Sequence, residues 1–115
     1  MGIESLPSAK RVYDLLRQVP KGRITTYGAL AKAAGMPKAP RLVGAIMRSN
    51  PYAPEVPCHR VVKSDGSISG FSGSDPRNIE KKIKMLAEEG VIVKEGKVQD
   101  FENVFFDKFS SRLKH

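Results

Sequence analysis

The residues best suited to chemistry stand together mid-chain, where Cys58 is followed directly by His59 and Arg60. A thiol attacks as its thiolate, and free cysteine titrates at about 8.5, so a nearby base or positive charge must lower its pKa for reaction at neutral pH. This segment supplies both, and Pro57 stiffens its approach. Adjacent side chains of an extended segment point to opposite faces, so direct contact between the thiol and the imidazole is not assured, and a bridging water can connect them instead.

A less reactive interpretation fits the same pair. Cysteine is among the most buried residue types, and an isolated Cys-His pair is more often an inert thiol beside a hydrogen-bonded histidine. Cys58 is the only cysteine, and His59 and His115 are the only histidines. These counts exclude an internal disulfide and a multi-cysteine zinc site, and we expect neither a metal nor a cofactor. A reducing compartment fits best, cytoplasmic, or nuclear in a eukaryote.

Basic charge is concentrated in the first half of the chain. The 115 residues carry a net charge of +8, of which residues 1–60 contribute +7 and residues 61–115 contribute +1. Such an excess favours a polyanion, most often nucleic acid, although a basic surface without a partner fits equally well. The sequence has no apolar run of membrane-spanning length and no signal-peptide core near its start, so we expect no membrane association. The length suits one domain over 1–115.

Two short helices precede the cysteine segment. Thr26 is suited to cap a helix over 27–34, and Gly35 can supply the left-handed residue that ends it. A second helix is predicted over 41–49, stopping before Pro51. Two short helices joined by a tight turn are typical of a helix-turn-helix.

The other predicted elements surround this motif. An opening helix is expected to begin at Ser5 or Ser8, and a turn at 63–66 is expected to lead into a return strand at Ile68. A helix capped by Asp75 should run to about Glu89. Its predicted inward face consists of Ile79, Ile83, Leu86 and Ala87. A hairpin or wing over 91–98 and a strand or tail over 101–109 complete a fold that is mostly α with short β hairpins, a winged helix-turn-helix-like single domain.

Several ordered blocks of this sequence resemble the O6-alkylguanine-DNA alkyltransferases. The similarity lies in the run 41–51, the block 57–62, Gly66, and the loop 70–73. Residues 24–31 and 86–90 match further family blocks in the same order. The resemblance covers roughly residues 6 to 93, and five ordered blocks make it specific.

The resemblance implies a role for each residue of the cysteine site. Cys58 would attack the alkyl carbon on guanine O6 and keep the alkyl group, so that each molecule reacts once. His59 would accept the thiol proton through a water, and Glu89 would orient His59, with Glu88 as the competing carboxylate. Asn50 would join the second helix of the motif to the cysteine segment. The Tyr27 hydroxyl would crowd the 3′ phosphate of the target nucleotide and protonate the leaving guanine.

The resemblance also implies how DNA would be held. Arg41 would enter the duplex where the guanine rotates out. The helix that it opens would lie in the minor groove of double-stranded DNA containing O6-alkylguanine, with little sequence preference, and the protein would act as a monomer. The other implied DNA-binding residues are Ala39, Gly44, Ala45 and Arg48. Met47, Val61 and Phe71 would line the base pocket, and the Ser72 N–H would point toward O6.

Three functions compete at this point. The first is single-turnover transfer of an alkyl group from DNA to Cys58. The second is a lesion-binding sensor without efficient transfer, although alkyltransferase-like sensors usually replace the cysteine. The third is a winged-helix transcription factor, which explains the charge but not the cysteine block. This chain departs from the family in lacking its usual N-terminal domain, in a longer segment over 73–82, and in a tail over 93–115 without a counterpart.

Overall fold

The computed structural model describes residues 2–3, 6–52, 55–68 and 76–110, and the side chains of 76–78 lie outside that description. Its helices are α1 (Pro7–Leu16), α2 (Tyr27–Ala33), α3 (Pro40–Arg48), α4 (Pro76–Glu88) and α5 (Phe101–Val104). Its strands are β1 (Thr25–Thr26), β2 (Val61–Val62), β3 (Val93–Lys94) and β4 (Lys97–Val98). The predicted fold class, mostly helical with short strands, is confirmed. None of the described helices is long and apolar enough to cross a membrane.

Helix α1 begins differently from the prediction. Its N-cap is Leu6, which makes no side-chain capping bond, and Pro7 occupies the first turn. Proline suits that position because its fixed φ is helical and its missing N–H would have no partner there. Ser8 therefore lies inside the helix, and Ser5 lies outside the described residues. The helix stops at Leu16, so the buried Val19 follows it rather than belonging to it.

The helix-turn-helix forms as predicted. The Thr26 hydroxyl accepts a hydrogen bond from the Ala29 N–H at 3.0 Å and so caps α2. Gly35 has φ +80°, the left-handed conformation that ends the helix. Helix α3 then packs against α2 and α1 with Val43, Ile46 and Met47 buried.

The strands pair in a way that the sequence did not predict. Strand β2 lies parallel to β1, with Thr25 opposite Val61 and Thr26 opposite Val62. The turn over 63–66 is present, and Gly66 N–H donates to the Lys63 carbonyl at 2.8 Å. The chain leaving that turn, however, bridges to the wing through Ser67 and Lys97, and the wing itself is the hairpin of β3 and β4. The main strand contact of β2 is therefore to the residues that lead into α2.

The tail completes a second small core. Phe105 bridges to Ile24 in parallel, with the Phe106 N–H donating to the Ile24 carbonyl at 2.7 Å. The tail over 101–109, predicted as a strand or tail, thus contains a short helix followed by an extended segment at the β1 side. Its packing joins a cluster of buried residues formed by Ile24, Val62, Leu86, Val91 and Val98.

Candidate active site and nucleic-acid interface

The cysteine segment is a turn of 3₁₀ helix over Cys58–Arg60, not an extended strand. The Arg60 N–H donates to the Pro57 carbonyl at 2.9 Å and closes the turn. The expectation that Cys58 and His59 point to opposite faces of an extended segment is therefore wrong, because successive residues of a 3₁₀ turn are rotated by about 120°. Cys58 is 6% exposed and lies in the larger core cluster, directly before β2.

A carboxylate from the end of α4 holds two residues of this turn. His59 Nε2 lies 3.0 Å from Glu89 Oε2. Arg60 donates from Nε to Glu89 Oε1 at 2.8 Å and from Nη2 to Oε2 at 2.6 Å. The residues that follow Cys58 are thus tied to α4 by a forked ion pair, and Glu89 rather than Glu88 occupies the position beside the histidine.

Burial and neighbouring charges shift the acid–base behaviour of this pair. Burial opposes the charged form of Glu89, but the hydrogen bonds from Arg60 and His59 outweigh it and lower the pKa of the carboxyl to about 2. Burial also lowers the pKa of His59 below its ordinary value, with Arg60 and Lys82 adding to the effect while Glu89 opposes it. At neutral pH the site therefore combines a carboxylate with an uncharged imidazole that can accept a proton.

Lys82 is a component of this site that the sequence analysis missed. Its side chain is fully buried, and Nζ donates to the Val61 carbonyl at 2.6 Å. The same nitrogen lies 5.9 Å from the centre of the Tyr27 ring. Burial lowers its pKa to about 8, and the electrostatic interaction with Cys58 acts in the opposite direction. A lysine that is still largely protonated at pH 7 therefore lies within electrostatic range of Cys58.

The inward face of α4 explains why Lys82 was overlooked. The predicted inward positions were Ile79, Ile83, Leu86 and Ala87, but Ala87 is exposed and Lys82 is buried in its place. Lys82 and Leu86 are four residues apart and share a helix face. A hydrophobic pattern cannot identify a buried lysine, because nothing in the pattern distinguishes it from its exposed neighbour Lys81.

Asn50 connects α3 to the cysteine segment, as the resemblance implied. Its amide nitrogen donates to the Val56 carbonyl at 2.9 Å, and its Oδ1 accepts from the Tyr52 N–H at 2.8 Å. The Cys58 N–H in turn donates to the same Val56 carbonyl at 2.9 Å. One side chain therefore fixes the loop that carries Cys58 relative to the helix-turn-helix.

The remaining site residues divide between the surface and the core. Arg41 and Arg48 are exposed at the two ends of α3, and Ala39, Gly44 and Ala45 are half-buried along it. Helices α2 and α3 and the turn between them contain four basic residues and no acidic one. These basic residues are Lys32, Lys38, Arg41 and Arg48, and we call their surface the basic helix face.

Of the four expected pocket residues, two can be placed. Met47 and Val61 are buried in the core cluster that includes Cys58, and Tyr27 packs against that cluster, half-buried. Phe71 and Ser72 lie outside the described residues. A cleft of about 360 Å³ is lined by His59, Arg60 and Glu89 together with Lys21 and Glu88.

A helix-turn-helix with a basic surface, joined by Asn50 to a buried cysteine beside a histidine and a carboxylate, defines the class of DNA-binding domain to which this fold belongs. Residues 7–91 match the family model described as 6-O-methylguanine DNA methyltransferase, DNA binding domain. The chain belongs to this family.

Individual relatives agree with this assignment. The chain is 45% identical over 80 residues to the methylated-DNA–protein-cysteine methyltransferase of Rattus norvegicus, covering 70% of this chain and 37% of that protein. It is 36% identical over 109 residues to a bifunctional methyltransferase/endonuclease of Picrophilus torridus, covering 95% of this chain and 35% of that protein. It spans between 30% and 55% of the length of the first four curated relatives that it matches.

A solved structure matches over nearly its whole length. S. pombe Atl1, crystallised with damaged DNA containing O6-carboxymethylguanine, superposes with a TM-score of 0.75 at 31% identity. The match covers 86% of this chain and 94% of Atl1. The similarity therefore extends to a protein that binds damaged DNA.

Proposed function

We propose that this protein repairs O6-alkylguanine in duplex DNA by moving the alkyl group once to Cys58. The observation that carries this proposal is the buried turn Cys58–Arg60, in which the nucleophile is followed by a histidine held by Glu89 at 3.0 Å. A structural cysteine needs no such neighbour, whereas a cysteine that must become a thiolate does.

The proposed step balances as an in-line displacement. Cys58 Sγ forms a bond to the alkyl carbon while the bond from that carbon to O6 breaks, and its electron pair stays on the guanine. The thiol proton passes to the neutral His59, and the guanine takes a proton from the Tyr27 hydroxyl. The buried side chain of Lys82 interacts electrostatically with Cys58.

The target base must leave the stack before it can reach a buried thiol. In this proposal the basic helix face enters the minor groove, since half-buried small residues along α3 permit close approach and the exposed Arg41 can enter the vacated space. Attraction to phosphates gives affinity without base readout, which suits a protein that searches for lesions along DNA as a monomer.

Transfer can be tested with a duplex that carries a labelled O6-methyl group. The wild-type protein should remove the label in proportion to the protein added, one group per molecule. Cys58→Ala should remove none while binding the duplex with unchanged affinity. Retention of the label in the presence of folded, DNA-bound wild-type protein would contradict the proposal.

Lesion binding without transfer is the second candidate. It is favoured by the match to Atl1 over 94% of that chain. The two candidates differ in one result, because a sensor would bind the modified duplex more tightly than an unmodified one and leave its alkyl group in place. The winged-helix transcription-factor hypothesis leaves the Cys58, His59 and Glu89 arrangement unexplained.

A further inference from the structure

Every nitrogen of the Arg60 guanidinium is engaged. Nε and Nη2 donate to the two oxygens of Glu89, and Nη1 donates to the carbonyl of Val19 at 2.8 Å. Val19 lies in the segment after α1, Glu89 follows α4, and Arg60 belongs to the cysteine turn. A single side chain that is only 16% exposed thus joins three parts of the fold beside the nucleophile.

The two hydrogen bonds from Arg60 to Glu89 also fix the orientation of the Glu89 carboxylate. A guanidinium can only donate hydrogen bonds, and bidentate pairing holds the plane of a carboxylate where a single ammonium would not. Glu89 Oε2 is consequently shared between Arg60 Nη2 and His59 Nε2. Because an ionised carboxylate can only accept, the His59 nitrogen that faces it must carry a hydrogen.

A neutral imidazole has one N–H and one free lone pair. With the hydrogen on Nε2, the lone pair lies on Nδ1. We propose that Arg60 is a positioning residue that fixes the Glu89 carboxylate against His59 Nε2 and thereby makes Nδ1 the atom that accepts the Cys58 proton. This inference deepens the proposed transfer and rests on it for its functional meaning, although the hydrogen placement is a property of the free protein.

Other charged groups also act on His59 and must be separated from Arg60. Lys82 and Glu89 act from the side of α4, and Cys58 lies on the same turn. Lys21 and Glu88 line the same cleft of about 360 Å³ as His59. Lys21 is exposed and carries the same charge as Arg60, so Lys21→Gln is a charge-matched control.

Nitrogen-15 NMR of the histidine rings tests the placement directly. Only His59 and His115 contribute signals, and His115→Ala assigns them. In the wild-type protein above its titration, His59 should show a protonated Nε2 and an unprotonated Nδ1. In Arg60→Gln the two tautomers should mix, and the His59 pKa should rise because a nearby cation is lost. Arg60→Lys should keep the charge but still mix the tautomers.

Two results would overturn the inference. One is a wild-type His59 with its hydrogen on Nδ1, which needs no variant. The other is an unchanged tautomer in folded Arg60→Lys or Arg60→Gln. In Lys21→Gln the tautomer should stay fixed, and a comparable mixing there would show a general charge effect instead. None of these readings requires DNA, so failure of alkyl transfer in the wild type would count against the proposed function alone.

Discussion

The basic helix face and the cluster around Cys58 use the same kinds of side chain in opposite surroundings. Arg41 and Arg48 are exposed on α3, free to meet phosphates from many directions. Arg60 and Lys82 are nearly or fully buried, and each donates to fixed acceptors at 2.6–2.8 Å. Exposed charges attract phosphates over a distance and are screened by salt. Buried charges are screened much less, and they act on neighbouring groups through hydrogen bonds of fixed geometry.

Under the proposed function, this difference should separate DNA binding from alkyl transfer. Substitutions on the basic helix face should change affinity and its salt dependence. Substitutions in the buried cluster should change reactivity and the pH dependence of stability while leaving salt dependence alone. The following predictions test that division, from the largest expected effect to the smallest.

Removal of the base should have the largest effect. His59→Ala should slow alkyl transfer by about 100- to 10,000-fold, the usual range for loss of a positioned proton acceptor. Affinity for the duplex should be unchanged. Single-turnover kinetics and fluorescence anisotropy measure the two quantities, with His115→Ala as the matched control. Equal losses of transfer and binding in His59→Ala would show that the two regions are not separable.

Glu89 should make the free energy of unfolding depend on pH in the acidic range. The Glu89 pKa is about 2 in the folded protein against an ordinary 4.5, so the unfolded chain binds the proton more readily. The stabilisation, about 3 kcal/mol, is present above pH 4.5 and is lost as the pH falls from there toward 2. In urea unfolding, the difference in the free energy of unfolding between wild type and Glu89→Gln should shrink as the pH falls over that range. A difference that stays constant with pH would mean that the Glu89 pKa is the same in the folded and unfolded protein.

Lys82 should give a dependence of the same sign at alkaline pH, with the free energy of unfolding rising as the pH rises. Its pKa is about 8 in the folded protein against an ordinary 10.5, so the unfolded chain again binds the proton more readily, between those two values. Relative to Lys82→Met, the wild type should gain up to about 3 kcal/mol of unfolding free energy across this range. Lys81→Met, at the exposed neighbouring position, should show no such gain. If the free energies of unfolding of wild type and Lys82→Met change in parallel with pH, the lysine keeps its ordinary pKa in the folded protein.

The smallest effects belong to the basic helix face. Arg41→Gln and Arg48→Gln should each weaken duplex binding several-fold and reduce the slope of log affinity against log salt by about 0.9. Lys81→Gln on the exposed side of α4 should leave the slope unchanged. If the slope falls equally in all three variants, the net charge of the protein matters and the position of the charge on the basic helix face does not.

The elements that could be predicted from the sequence are those decided by local chemistry. Thr26 caps α2 and Gly35 ends it because capping and left-handed geometry depend on one or two residues. The roles of Glu89 and Asn50 came from the resemblance, and both make the contacts that it implied. Those contacts span long or irregular stretches of chain that periodicity alone does not connect.

The features that were missed depend on packing. The 3₁₀ turn at Cys58 forms where Pro57 meets β2, and the parallel partner of β2 lies 36 residues earlier in the chain, at Thr25. Lys82 is buried because α4 presents that face to Val61 and Tyr27. The fork of Arg60 spans 29 residues to Glu89. A pattern of residue types carries no information about such distant partners.

Intact-protein mass spectrometry tests the central claim most directly. The protein is mixed with excess duplex containing O6-methylguanine, and its mass is measured before and after reaction, with peptide mapping to locate any change. The account predicts a gain of one methylene unit per molecule, located on Cys58 and absent from Cys58→Ala. An unchanged mass in folded wild-type protein that is saturated with the modified duplex would contradict it.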